Sequence, residues 1–119
     1  MLTGSGHFFT ETIELINKLK EVDLFVSKAA EEVLVMYKKK GKISKNIKIY
    51  QDNSASSASV GKFYQGAYHS LVMAPTSSNT VAKCVCGISD SLATNIFAQS
   101  GKCRVECIFF PFFFTNVVI

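Results

Sequence analysis

The chain has 119 residues, 48% hydrophobic and 18% charged, which is enough apolar material for one buried core and rules out a disordered chain. Thirteen Lys/Arg against nine Asp/Glu give a net charge of +4. That surplus is mild and carries no arginine-rich or aromatic-interleaved basic patch, so nucleic acid is not the expected partner. The longest apolar stretch, Cys107 to Ile119, is broken by Pro111, Thr115 and Asn116. It is shorter than the roughly twenty residues that a membrane helix needs. No basic-then-apolar leader opens the chain, and a cytoplasmic protein without membrane contact is expected.

The chain opens with a small-residue loop, Thr3-Gly4-Ser5-Gly6-His7. Phe8, Phe9, Thr12, Ile13, Leu15, Ile16 and Leu19 then recur at helical spacing, with acids early and lysines late, as a helix dipole prefers. Val22 to Val26 is short and apolar and reads as a buried parallel strand that Ser27 ends. Lys28 to Lys38 is a helix with an expected apolar stripe at Ala29, Val33 and Met36. Ile47, Ile49 and Tyr50 suggest a short strand, and Asn53 to Ser59 a Ser/Ala-rich loop. Tyr68 to Ala74 reads as another buried strand, stopped by Pro75. Helices are expected over Asn79 to Val85 and Asp90 to Ser100, separated by Gly87, with Gly101 as the second helix's C-cap. Arg104 to Phe110 is the last strand.

Strands that alternate with helices predict an α/β domain with a mostly parallel sheet. In such sheets ligands sit beyond the carboxyl ends of the strands. That rule selects three loops: Thr3–His7, Ser27–Lys28 and Pro75–Thr80. Gly4-Ser5-Gly6 precedes a helix, where free backbone N–H groups favour an anion, although small residues there also serve as plain caps. Thr76, Ser77, Ser78, Asn79 and Thr80 place four hydroxyls and an amide at one strand-to-helix junction, more than a single cap requires. Such a run suits a phosphate or the polar edge of a flavin. Lys83 reads as a surface lysine. A dinucleotide fingerprint is absent, because Gly4 and Gly6 are followed by Phe9 where a third glycine would stand.

Cys84, Cys86, Cys103 and Cys107 are spaced C-x-C and C-x3-C, with neither His7 nor His69 close in sequence. That pattern argues against a metal site and for reduced, partly buried thiols.

Pro75 to Lys83, followed by Gly87-Ile88-Ser89-Asp90-Ser91-Leu92-Ala93-Thr94-Asn95, resembles the signature of the homo-oligomeric flavin-containing Cys decarboxylase family. The Thr3–His7 opening and Ser27-Lys28-Ala29-Ala30-Glu31-Glu32-Val33 are similar to its archaeal branch of archaeoflavoproteins and flavin-dependent dihydromethanopterin reductases. The resemblance spans residues 3 to 108. It implies a Rossmann-like three-layer domain over residues 1–119 that binds FMN, in a trimer-based homo-oligomer. Carried over by position, Gly4, Ser5 and Gly6 would hold the phosphate region. Ser27 would hydrogen-bond the phosphate, and Ser77, Ser78, Asn79 and Thr80 would line the flavin and phosphate site. The implied role is electron transfer or reduction, with a small molecule or a protein as redox partner.

Two other roles stand beside it, a cysteine decarboxylase and a non-catalytic remnant of the family. The decarboxylases use a histidine shortly before the strand that ends at Ala74. Here His69 lies on that strand, and residues 55 to 66 contain none, which disfavours decarboxylation. The family also places a strand before the Gly-rich loop, of which only Met1 and Leu2 stand in this sequence, so unpaired strand edges are expected. Residues 111–119 depart from the family's polar continuation, and the chain reads as shortened at both ends.

Overall fold

The computed structural model describes residues 1–6, 8–38, 40–52 and 60–112. The elements run α1 (Phe9–Lys18), β1 (Asp23–Val26), α2 (Lys28–Met36), β2 (Lys48–Gln51), β3 (Ser70–Ser77), α3 (Ser78–Cys86), α4 (Leu92–Lys102) and β4 (Glu106–Phe112). The expected loop at Asn53–Ser59 and the tail beyond Phe112 lie outside the described residues, as does His7.

Helix α1 buries Phe9, Thr12, Ile13 and Ile16, a single face at 3.6-residue spacing. Helix α2 differs from its expected stripe. It buries Ala30 and Leu34 with Val33 half-buried, while Ala29 and Met36 are exposed. Its phase is set by its start: the Ser27 hydroxyl accepts from the Ala30 N–H at 3.1 Å, and Ala29 is turned against Gly4. Nine residues of mixed apolar sequence do not define that phase by themselves.

Two further readings are corrected. Pro75 does not end its strand, for β3 continues through it to Ser77. The β3–β4 register shifts between Met73 and Thr76, so the ladder steps past the residue that has no N–H. Gly101 does not cap α4, which runs to Lys102. The turn closes one step later, with Cys103 N–H on the Gln99 carbonyl at 3.0 Å and Val105 N–H on the Ser100 carbonyl at 2.8 Å, and Arg104 takes the left-handed position at φ 57°. Gly87 ends α3 at φ 73°, the conformation glycine adopts without steric cost.

All paired strands are parallel: β1 with β2, and β3 with β4. The two pairs are joined by the first residues of the chain. Leu2 N–H donates to the Phe25 carbonyl at 2.8 Å, and Ser27 N–H donates to the Leu2 carbonyl at 3.1 Å. On the other side the Met1 amino group donates to the Val72 carbonyl at 2.7 Å, and Ala74 N–H donates to the Met1 carbonyl at 3.0 Å. Burial holds that amino group's pKa down to about 5. The edges of β1 and β3 that were expected to be unpaired are therefore bridged by Met1 and Leu2. The spatial order becomes β2, β1, residues 1–2, β3, β4.

Side chains alternate between two cores, as the period of a strand requires. Leu2, Leu24 and Val26 join Phe9, Ile13 and Ile16 of α1 and Ala30 and Leu34 of α2. Met1, Phe25, Leu71 and Met73 join Phe63, Leu92, Ala93 and Ile96 in the other. An aromatic cluster closes the outer margin of this second core, where Phe25 stacks on Tyr50 with centroids 4.8 Å apart. Phe63 and Tyr68 pack there too, while Tyr64 is exposed. The Tyr68 hydroxyl donates to Asp23 Oδ2 at 2.5 Å, and burial together with that bond pushes its pKa up. No helix among the described residues is long and apolar enough to cross a membrane.

Candidate functional site

Because every paired strand runs the same way, residues 3 and 4, Ser27, Asp52 and Ser77 all leave the same edge of the strands. A groove of about 500 Å³ opens there. Thr3, Gly4, Ser27, Ser77, Asn79 and Thr80 line it, together with Lys28, Asp52, Lys83, Asp90, Ser91 and Thr94. Of the residues singled out in the sequence, Gly4, Ser27, Ser77, Asn79 and Thr80 are thus brought together. Ser5, Gly6 and Ser78 are not among the lining residues. Ser5 is half-buried, while Gly6 and Ser78 are exposed.

The floor is held by Thr3, which is 2% exposed. Its Oγ1 donates to the Pro75 carbonyl at 2.7 Å and accepts from the Ser77 N–H at 3.1 Å, tying the first loop to the end of β3. Gly4 lies so close to α2 that an added Cβ would stand 2.5 Å from the Ala29 Cβ. The Gly-rich loop is therefore pressed on the first turn of α2. It precedes α1 by several residues, because α1 starts after Phe8 at φ 57° with no side-chain cap.

Hydroxyls at two helix starts face this groove. Ser27 Oγ accepts from Ala30 and keeps its O–H free to donate. Ser77 Oγ accepts from the Thr80 N–H at 3.3 Å and lies 2.9 Å from Thr80 Oγ1. That pair shares one O–H between its members and has a second to offer. Thr76 is spoken for: its buried hydroxyl donates to the Met73 carbonyl. Capping and strand closure thus occupy three of the five polar groups in the 76–80 run, and Ser78 and Asn79 stand exposed at the helix start.

The sequence reading missed the opposite wall. Lys83, taken for a surface lysine, is paired in the groove with Asp90 at 2.9 Å (Oδ2) and 3.2 Å (Oδ1). Asp90 N–H in turn donates to Thr94 Oγ1 at 3.0 Å, within the capping box of α4. The signal was present, since all these residues fall inside the signature quoted above. Their pairing needed the turn at Gly87.

His69 stands one residue before β3 rather than on it, and it is exposed. Eight residues of chain separate it from Ser77, roughly 25 Å along a strand. It therefore lies at the opposite edge from the groove. The four cysteines are free thiols; Cys84 is buried and its pKa raised by burial, and burial pushes Cys107 to about 11. No cluster of three or more His, Cys, Asp or Glu suited to a metal occurs among the described residues.

Parallel strands, helices starting from their carboxyl ends and a hydroxyl-lined groove between those starts define an α/β protein with a candidate ligand groove at the strand ends. The profile of the Flavoprotein family matches residues 1–118, and the chain belongs to that family. It is 36% identical over 124 residues to dihydromethanopterin reductase (acceptor) of Methanocaldococcus jannaschii, covering 92% of this chain and 50% of that protein. It is 37% identical to the same-named protein of Methanosarcina mazei, covering 92% and 52%. The chain thus spans about half the length of these curated relatives. Among solved structures, Burkholderia xenovorans DmrB in complex with FMN, described as a cubic protein cage for redox transfer, superposes with a TM-score of 0.86 at 50% identity. That match covers 92% of this chain and 62% of DmrB.

Proposed function

We propose that this chain binds FMN in the groove at the carboxyl edge of its strands and serves electron transfer or reduction, in the manner suggested by its dihydromethanopterin reductase relatives. The observation that carries the reading is the convergence of Thr3–Gly4, Ser27 and Ser77–Thr80 on one groove, in a chain of the Flavoprotein family. The donor set fits the cofactor. A phosphate needs several N–H and O–H donors, and the starts of α2 and α3 offer them together with a favourable dipole.

In this reading Ser27 and the Ser77–Thr80 pair hold the phosphate, and Gly4 keeps the first loop low against α2. Asn79 offers amide hydrogen bonds to the polar edge of the flavin. Ser5, Gly6 and Ser78 would complete the site from outside the groove's present lining. When bound, FMN supplies hydride or single-electron transfer, and the chain contributes binding and orientation. Decarboxylation is not proposed, because His69 is at the far edge of the strands. The strands are read as one Rossmann-like sheet in a single domain, working as a trimer-based homo-oligomer with a small-molecule or protein redox partner. The FMN complex and the cage described for the DmrB relative support the cofactor and the homo-oligomer.

The test is a visible absorption spectrum of the purified chain, alone and after FMN addition, with size exclusion on the same sample. Flavin absorbance that co-elutes with an oligomer is the expected result. A chain that remains colourless after FMN addition would overturn the reading and favour a non-catalytic interaction role.

A further inference from the structure

The groove contains two lysines, and they are not equivalent. Lys28 is exposed on the first turn of α2, the end of a helix where a cation is least favoured. Lys83 is half-buried on α3 and held by both oxygens of Asp90. The hold is itself anchored. Asp90 is fixed through its N–H to Thr94, and the Lys83 carbonyl accepts the Ile88 N–H at 2.9 Å, closing the turn that contains Gly87. An ammonium has three protons, and two contacts to one carboxylate leave one to direct at a ligand. Lys83 lies one turn beyond Thr80 on the same helix, and residues at that spacing share a face. A free lysine must order a flexible stem on binding an anion, and the solvent-exposed pair with Asp90 biases the Lys83 stem toward the groove.

We infer that Lys83 is the cation that meets the phosphate of the ligand in this groove, with Asp90 as the residue that positions it. The inference rests on the FMN reading and adds to it a residue and a selectivity: the groove prefers the phosphorylated flavin to riboflavin through Lys83. Ser27 and the Ser77–Thr80 pair supply neutral donors, and Lys83 supplies the charge. A charge-assisted bond is roughly twice as strong as a neutral one, which makes this single contact the main source of discrimination.

The experiment titrates FMN and riboflavin separately into the full chain and its variants, following quenching of flavin fluorescence at two salt concentrations. Lys83→Gln is expected to weaken FMN about tenfold, to leave riboflavin unchanged and to flatten the salt dependence of FMN binding. Lys83→Arg, which keeps the charge and the pairing with Asp90, is expected to stay within about threefold of the parent. Lys20→Gln, at an exposed lysine outside the groove lining, serves as the comparison and is expected to change FMN affinity by less than about threefold. Equal losses for FMN and riboflavin in Lys83→Gln would mark a purely structural role and overturn the inference, as would equal losses for the two lysine variants. A parent chain that binds neither flavin would overturn the FMN reading as well. Normal FMN binding by both parent and Lys83→Gln would overturn the Lys83 inference alone.

Discussion

Thr3 shows how much one side chain can organise. Its hydroxyl has a donor and an acceptor role in a buried place, and both are filled by backbone groups at the end of β3. Thr3→Val keeps the branched shape and removes both bonds, leaving the Pro75 carbonyl and the Ser77 N–H without that partner. Unsatisfied buried groups cost about 1–3 kcal/mol each before relaxation, so a loss of about 2 kcal/mol is expected in urea denaturation. A loss within error of zero would mean that water replaces the hydroxyl. The sequence marked Thr3 only as part of a small-residue loop that a ligand could meet. Its partner lies 72 residues away, and no local pattern encodes such a contact.

At the scale of elements, one type of residue repeats. Ser27, Ser77 and Ser91 each cap a helix by accepting from the N–H three residues on. Serine followed by good helix formers is readable from sequence, and those three helix starts fall close to where they were expected. Helix ends were read less well. Gly87 and Gly101 look alike in sequence, yet only Gly87 has a positive φ. The structure distinguishes them experimentally. Gly87→Ala meets no atom within 4 Å but forces alanine into the left-handed region, and a destabilisation of about 1 kcal/mol is expected. Gly101→Ala also has open space and sits in helical backbone, so a gain of about 0.5–1 kcal/mol is expected. Opposite signs in paired thermal melts would support the assignment, and a loss in both would restore Gly101 as a cap. The α2 stripe failed for a related reason: periodicity gives the pitch of a helix, but its cap and its neighbour Gly4 set which face turns inward.

Across the whole molecule, the decisive joint is the pairing of Met1 and Leu2 between β1 and β3. Four backbone hydrogen bonds link the two strand pairs there, and Leu2 is fully buried. Leu2→Pro removes the N–H bonded to Phe25 and puts a ring where the ladder passes. Loss of a single cooperative transition is expected, with helix signal by circular dichroism and tyrosine fluorescence melting at different urea concentrations. A coincident, sharp transition would show that the two cores hold together without this joint.

By itself the sequence determined the alternation of strands and helices, the approximate starts of α2 and α3, and, through its quoted signature, the family. These are local properties of spacing, capping and residue type. Only the tertiary structure decided that residues 1–2 bridge the strand pairs, that β3 runs on through Pro75, and that Lys83 and Asp90 pair on one wall of the groove. Each of these depends on a partner that another element supplies, and hydrogen bonds between distant segments leave no periodic trace in the chain.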